Sequence, residues 1–149
     1  MHTSDPRCEF CAIANGEAPH SRVVYQDNSA VAFFPKKPAS LGHTLLIPRT
    51  HVAEVTELQD EIAARLGILT VALAKAIDNA RRPEGLSIIQ SNGLVASQTV
   101  MHLHIHLVPR WGGDALRDIW PECDPTFTDA ELDAACVDVT SATRIMWGN

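Results

Sequence analysis

Hydrophobic and polar residues alternate along the chain with two different periods, and each period predicts its own elements. Short apolar, β-branched runs predict strands at 22–25, 30–34, 43–47 and 86–90. Residues 100–110 place a histidine at every second position among apolar residues, which predicts a fifth strand with one buried face. Helical spacing instead predicts a long helix at about 57–79, whose apolar stripe consists of Ile62, Leu66, Leu69, Leu73 and Ile77.

Turn and capping residues set the ends of the predicted helices. A short helix through residues 12–14 should end at Asn15-Gly16. Thr56 with Gln59 forms a capping box for the long helix, and Thr128 with Glu131 forms one for a last helix through about residue 145. Together the elements predict an α+β fold with about five mostly antiparallel strands and two main helices, in one domain over residues 1–149.

Charge and composition narrow the classes of partner. The 149 residues are 46% hydrophobic and 20% charged, with a net charge of −6, as in ordinary soluble domains. An acidic chain of this kind argues against nucleic acid or an anionic membrane surface as the main partner. The polar start MHTSDPR predicts no secretory signal, and the apolar stretch at 66–77 is too short to span a bilayer. We therefore expect a cytoplasmic protein without a membrane partner.

The pair Cys8-x-x-Cys11 has a spacing typical of metal or redox sites. A thioredoxin-like pair would follow a strand, whereas this pair opens the chain. A tetrahedral zinc site needs two further nitrogen or sulfur ligands, and His51 and His102 are the obvious donors. With four protein ligands such a zinc ion would be structural. The alternative is a pair of reduced surface cysteines.

Three of the seven histidines, His102, His104 and His106, share one face of the predicted fifth strand. On a regular strand they lie about 6.5–7 Å apart, so one metal ion cannot bind all three without a bend. A solvated polar face and a metal-binding histidine pair remain alternatives. His104 could also act as a nucleophile toward phosphorus if its second ring nitrogen were hydrogen-bonded. Donors for a phosphate would then come from His43, His106 and the polar loop 91–99, which contains Ser91, Asn92, Gln98 and Thr99.

The stretch His102-Leu103-His104-Ile105-His106-Leu107-Val108 resembles the signature of the histidine triad (HIT) family. The opening 8–17, the segment 42–49 and the stretch 98–100 are similar to further motifs of its bacterial, zinc-containing members. The resemblance covers residues 8 to about 111, so residues 112–149 would form a helical C-terminal extension.

Membership of this family would imply a homodimer, paired through the long helix and the strand at 86–90, with a five-stranded antiparallel sheet in each subunit. It would also imply hydrolysis at the α-phosphate of a nucleoside phosphoramidate or (di)nucleoside polyphosphate. His104 would be the nucleophile, and His106 and His43 would contact the phosphate, together with Ser91, Gln98 and Thr99. The zinc ligands would be Cys8, Cys11, His51 and His102. A phosphorylase-like nucleotidyltransferase and a non-catalytic nucleotide-binding adaptor are the alternatives.

The chain departs from the family pattern beside the second predicted strand. Many members carry an acidic residue there that binds the ribose hydroxyls, where this chain has Pro35. Lys36 and Lys37 follow, and they either attract an additional anionic group or are solvated loop lysines. Ser97 stands where a glycine usually precedes Gln98.

Overall fold

The computed structural model describes residues 3–117 and 127–147, which belong to two compact units, Met1–Ala115 and Leu116–Asn149. The first unit is built on a five-stranded antiparallel sheet with the strand order β1-β2-β3-β5-β4. Its strands are β1 (Arg22–Gln26), β2 (Ala30–Phe34), β3 (Thr44–Pro48), β4 (Gly85–Gln90) and β5 (Ile105–Arg110). The α+β prediction is confirmed.

One face of the sheet is covered by α2 (Asp60–Arg81). The predicted apolar stripe is the buried side of this helix, and it packs on the alternate residues Ala30, Ala32, Leu46 and Leu107 of the sheet. The predicted capping box is wrong, because Val55–Glu57 form a separate 3₁₀ turn and the helix begins only at Asp60. Gln59 occupies the N-cap position without a side-chain cap.

The opposite face of the sheet is covered by α1 (Glu9–Ala14). Phe10, Ile13 and Ala14 pack there on the other set of alternate strand residues, which are Val31, Phe33, Leu45 and Ile47. The helix stops at Asn15, as the sequence predicts, and the following Gly16 has a φ of +79°. Arg49 donates to the Ala14 carbonyl, which ties the end of this short helix to the end of β3.

The predicted strand over 100–110 is wrong in its first half, since β5 begins only at Ile105. Upstream of it the chain leaves the sheet, and the Leu103 amide donates to the Val52 carbonyl at 2.7 Å. His102, Leu103 and His104 are therefore all buried in succession, with no alternation between two faces.

The second unit contains α3 (Asp129–Trp147). Its predicted capping box is confirmed, because the Thr128 amide donates to Glu131 Oε2 at 2.8 Å and the Glu131 amide donates back to Thr128 Oγ1 at 3.3 Å. Cys136 is an exposed free cysteine, and Cys123 lies outside the described residues. Among the described helices, none is long and apolar enough to cross a membrane.

Candidate active site and metal centre

The four predicted metal ligands form one cluster. Cys8, Cys11, His51 and His102 come from three distant segments, and their ligand atoms all lie within 4.8 Å of one another. Cys8 Sγ lies 3.5 Å from His102 Nδ1, and Cys11 Sγ lies 3.3 Å from His51 Nδ1 and 3.6 Å from His102 Nδ1. Bonds of about 2.0–2.3 Å to a tetrahedral zinc ion place neighbouring ligand atoms about 3.3–3.8 Å apart. The spacing of the donors therefore fits a metal ion of this kind.

The ring of His102 is oriented for metal binding by its second nitrogen. Nε2 donates to the Pro48 carbonyl at 2.9 Å, so its proton is held there and the lone pair of Nδ1 faces the two thiols. Burial, opposed by that hydrogen bond, lowers the pKa of His102 to about 4, which keeps the ring neutral at physiological pH. Neutral imidazole is the form that binds metals.

His104 lies beside this cluster but faces a different space. Its Nδ1 donates to the carbonyl of His102 at 2.7 Å, so the other ring nitrogen, Nε2, keeps its lone pair. The ring is 6% exposed and lines a cavity of about 700 Å³ that extends over α1, β1, β2 and β3. A nitrogen with a free lone pair at the wall of a ligand-sized cavity can attack an electrophile bound there.

A chain of two hydrogen bonds fixes the tautomers of the two neighbouring histidines. The Ala39 amide donates to His43 Nδ1 at 3.0 Å, which leaves the proton of neutral His43 on Nε2. His43 Nε2 lies 3.0 Å from His106 Nδ1 and donates to it, so the proton of His106 is on Nε2. Both rings line the cavity, and His106 thus presents a hydrogen-bond donor next to the lone pair of His104, with 4.8 Å between the ring centroids.

Burial also keeps these two rings uncharged. It lowers the pKa of His43, and together with the neighbouring His104 and His43 it lowers the pKa of His106 to about 4. At neutral pH His43 and His106 are therefore neutral, and each carries its proton on Nε2. His104 offers an acceptor and His106 offers a donor.

The predicted loop residues separate into two groups. Thr99 lines the cavity, whereas Ser91, Asn92 and Gln98 are not among its lining residues. The side chain of Gln98 is fully buried, donates to the Ala53 carbonyl at 2.7 Å and accepts from the Gly93 amide at 2.7 Å. Asn92 accepts from the Val55 amide at 2.8 Å. These two amides connect the loop to the segment before α2, and their role as substrate contacts stays a prediction.

Lys36 and Lys37 line the cavity together with Pro35. Lys36 Nζ donates to Glu9 Oε2 at 3.1 Å, and Glu9 belongs to the same lining. Much of the remaining lining is apolar, including Phe10, Ile13, Phe33, Leu45 and Val100. The cavity thus combines neutral histidines, an apolar surface and a basic segment.

Two groups important to the site escape prediction from the sequence. The first is Phe10, whose ring centroid lies 5.3 Å from that of His104 and 6.0 Å from that of His102, so that it contacts both the cavity and the metal cluster. Its position between the two cysteines is the only sequence signal for it. The second is the Ala39 amide, which orients His43; no side-chain pattern can reveal a backbone donor.

Comparisons with known proteins agree with this geometry. The model of the HIT domain matches residues 15–113. "Protein hit" of Bacillus subtilis is 38% identical over 121 residues, which are 80% of this chain and 82% of that protein. An adenosine 5′-monophosphoramidase of Schizosaccharomyces pombe is 36% identical over 103 residues, with 69% of this chain and 74% of the relative covered.

A solved structure of a zinc-bound protein is also similar to this chain. The crystal structure of a Zn-bound histidine triad family protein from Mycobacterium smegmatis matches with a TM-score of 0.69 and 34% identity, over 91% of this chain and 97% of that chain. The domain match, together with the identity of these relatives and the share of the chain that they cover, leads to one conclusion. The chain belongs to the HIT family.

Proposed function

We propose that the protein hydrolyses nucleotides at the α-phosphate, on nucleoside phosphoramidates or (di)nucleoside polyphosphates, through a nucleotidyl-histidine intermediate. The observation that carries the proposal is the orientation of His104. Its Nδ1 proton is held by the His102 carbonyl at 2.7 Å, and its Nε2 lone pair belongs to a ring that lines the cavity. The name of the S. pombe relative, an adenosine 5′-monophosphoramidase, supports this substrate class.

The first step forms a bond between His104 Nε2 and the α-phosphorus. With a phosphoramidate in its zwitterionic form, the P–N bond to the leaving group breaks and its electron pair departs with ammonia, which already carries its three hydrogens. The ring becomes a nucleotidyl-imidazolium whose positive charge is shared with the Nδ1–H donated to His102. Water then attacks phosphorus, the bond to Nε2 breaks, one water proton passes to solvent and neutral His104 is restored.

His106 acts in this scheme as a neutral donor. Its Nε2–H, fixed by the hydrogen bond from His43 to Nδ1, can bind a phosphate oxygen on which negative charge develops. Because its pKa is lowered to about 4, His106 is neutral at neutral pH and has no second, acidic ring proton to transfer to the leaving group. Its contribution is therefore charge stabilisation.

The experiment that tests the proposal is mass spectrometry of the protein quenched during turnover of adenosine 5′-phosphoramidate. We expect a nucleotidyl adduct on the peptide that contains His104, and none in His104→Ala. Adding inorganic phosphate separates the alternatives, because a phosphorylase would release nucleoside diphosphate and a hydrolase only the monophosphate. A wild-type protein that turns over substrate without any adduct would refute the covalent mechanism.

We further propose that the metal ion is zinc and that it is structural. The four donors satisfy tetrahedral coordination, which leaves no position for a reacting water, and a Zn-bound relative supports the identity of the metal. Bound there, zinc would supply a crosslink between the N-terminal segment, the end of β3 and the His102 segment. Elemental analysis should find about one zinc ion per chain.

The same proposal includes a homodimer formed through α2 and β4. Ile68 and Val71 on α2 and Ile88 on β4 are exposed by 51–61%, away from the cavity lining. Large apolar residues on one helix and a sheet edge are typical of protein interfaces. Light scattering should give the mass of two chains, and Ile68→Lys should shift it toward one. A single-chain mass for the wild type at micromolar concentration would refute this assembly.

A further inference from the structure

The cavity differs in charge from the rest of the protein. The chain carries a net charge of −6, and it contains only three lysines. Two of these, Lys36 and Lys37, line the cavity together with Arg22, against the single carboxylate of Glu9. An acidic protein has thus concentrated positive charge on one wall of its candidate active site, which is the arrangement expected for an anionic ligand.

Part of that charge is available to a ligand. Lys36 is paired with Glu9 at 3.1 Å, and this exposed pair neutralises one cation. Among the residues that the structure describes, Lys37 and Arg22 have no hydrogen-bonded or ion-paired side-chain partner. Both side chains are exposed, so binding an anion would not require them to break an existing interaction.

The basic wall lies at a distance from the reacting histidines. Arg22 pairs with Phe34 across β1 and β2, and Lys36 and Lys37 follow the end of β2. Next to them, Phe33 of β2 is paired with Leu45 of β3, and Leu45 is paired with His106 of β5. Strand β3 therefore lies between the end of β2 and β5. With about 4.8 Å between strands, β2 lies about 10 Å and β1 about 14 Å from β5. Phe33 and Leu45 form an apolar floor between the two regions, and both line the cavity.

This distance determines which anionic group of a nucleotide can reach the basic wall. A β-phosphate is joined to the attacked phosphorus through a single oxygen, so it must remain near His104 and His106. A phosphate on the ribose of a nucleotide is separated from the attacked phosphorus by the sugar, whose apolar surface can lie over Phe33 and Leu45. Pro35 at this place offers no side-chain acceptor for a free hydroxyl.

We propose that the site selects nucleotides that carry a second phosphate group on the ribose, bound by Lys37, Arg22 and Lys36 at the end of β1 and β2. The inference rests on the proposed function for the orientation of the nucleotide, with its α-phosphate at the histidines. It adds a specificity determinant at the opposite side of the cavity.

Two isomeric ligands test the proposal without any turnover. Adenosine 3′,5′-bisphosphate and adenosine 5′-diphosphate have the same two phosphates and differ only in where the second is attached. In calorimetric titrations of the full protein at fixed ionic strength, we expect the 3′,5′-bisphosphate to bind about 3- to 10-fold more tightly than AMP. This gain in affinity over AMP should exceed the gain measured for the 5′-diphosphate, and it should become smaller as salt is added.

Variants identify the residues responsible. The double variant Lys36→Gln/Lys37→Gln should lose the gain from the 3′-phosphate and keep its affinity for AMP within about twofold. Lys75→Gln removes the same kind of charge from α2, outside the cavity lining, and should keep the gain. Pro35→Asp adds a carboxylate that repels a 3′-phosphate, so this variant should bind AMP more tightly than the 3′,5′-bisphosphate.

Two results would overturn the inference. One is a 3′,5′-bisphosphate that binds no more tightly than AMP, or that keeps its advantage in the double lysine variant. The other is an equal or larger gain from the 5′-diphosphate, which would mean that the cations serve a phosphate chain at the histidines. Formation of the His104 adduct with adenosine 5′-phosphoramidate in the same preparations would show that the proposed function stands even where this inference fails.

Discussion

Replacing Phe10 by leucine should slow catalysis although the leucine cannot take part in it. Phe10 is 6% exposed, and its ring makes edge-to-face contacts with His104 at 5.3 Å, Phe33 at 5.4 Å and His102 at 6.0 Å. The Phe10 ring thus packs against the ring of His104, on the short helix that begins next to Cys8. Phe10→Leu keeps an apolar side chain and removes all three ring contacts.

The size of the effect follows from these contacts. Each aromatic pair contributes about 0.5–1.5 kcal/mol beyond its buried area, so the three together, partly offset by relaxation, should cost about 1.5–3 kcal/mol of unfolding free energy. For a domain of this size that corresponds to a fall in Tm of about 4–10 °C. Only the contact with His104 bears on the reaction. Losing about 1 kcal/mol of support for the reactive ring orientation should lower kcat about fivefold.

The assay compares Phe10→Leu with a variant that is destabilised in the same apolar cluster but away from the cavity. Ile47→Val removes a methylene from the same apolar cluster at a cost of about 0.5–1.5 kcal/mol, and Ile47 does not line the cavity. Steady-state kinetics on adenosine 5′-phosphoramidate, Tm and bound zinc are measured for both. We expect kcat to fall only in Phe10→Leu, with zinc content unchanged. Equal kcat values in the two variants would refute the positioning role, and a change confined to KM would mean that the ring contacts substrate instead.

Four further predictions test separate parts of the site. Cys8→Ser should lose the metal and several °C of Tm together, and full zinc content with wild-type melting would contradict the crosslink. His104→Ala should lower the rate by about 10⁴–10⁶ and His106→Ala by about 10²–10³, and the reverse order would refute the assignment of the nucleophile. NMR correlation of ring protons and nitrogens should find the proton of neutral His104 on Nδ1 and that of His106 on Nε2. Because folding lowers the pKa of His106 from 6.5 to about 4, the unfolded chain binds the extra proton in this window. Unfolding free energy should therefore fall as the pH falls from 6.5 to 4, and His106→Gln should reduce that fall by about 1–2 kcal/mol after allowance for its partial exposure.

Local sequence patterns predicted most of the fold because the two faces of the sheet are covered by two different helices. Alternate residues of β2 and of β3 pack on α2, and the residues between them pack on α1. Both faces therefore select apolar residues, and the strands read as continuous apolar runs. The stripe on α2 likewise matches its buried side. The start of this helix was predicted incorrectly, since a Thr-x-x-Gln pattern records only the capacity to cap. In the structure Thr56 lies in a separate 3₁₀ turn, and Gln59 is the N-cap residue.

The cluster of Cys8, Cys11, His51 and His102 could also be predicted from the sequence, because cysteine and histidine are few and their chemistry is specific. Cavity contacts were not accessible in the same way. Gln98 is chemically suited to bind phosphate, yet both polar ends of its side chain are used by Ala53 and Gly93, partners chosen by tertiary packing. Ser97 shows the same limit: it adopts a left-handed conformation, with φ at +71°, which glycine adopts more easily and which no side-chain pattern reveals.

The break before β5 explains how one short segment can serve a metal centre and an active site at once. Carbonyls inside a paired strand are engaged in the ladder, and rings two residues apart on one face lie about 6.5–7 Å from each other. Because the chain leaves the sheet ahead of Ile105, the His102 carbonyl is free to accept from His104 Nδ1, while the His102 ring turns toward Cys8 and Cys11. A single residue thus places its ring in the cluster that could hold a metal and its carbonyl against Nδ1 of His104. The alternating pattern of histidines predicted a strand, but the different surroundings of the three rings depend on the place where that strand does not form.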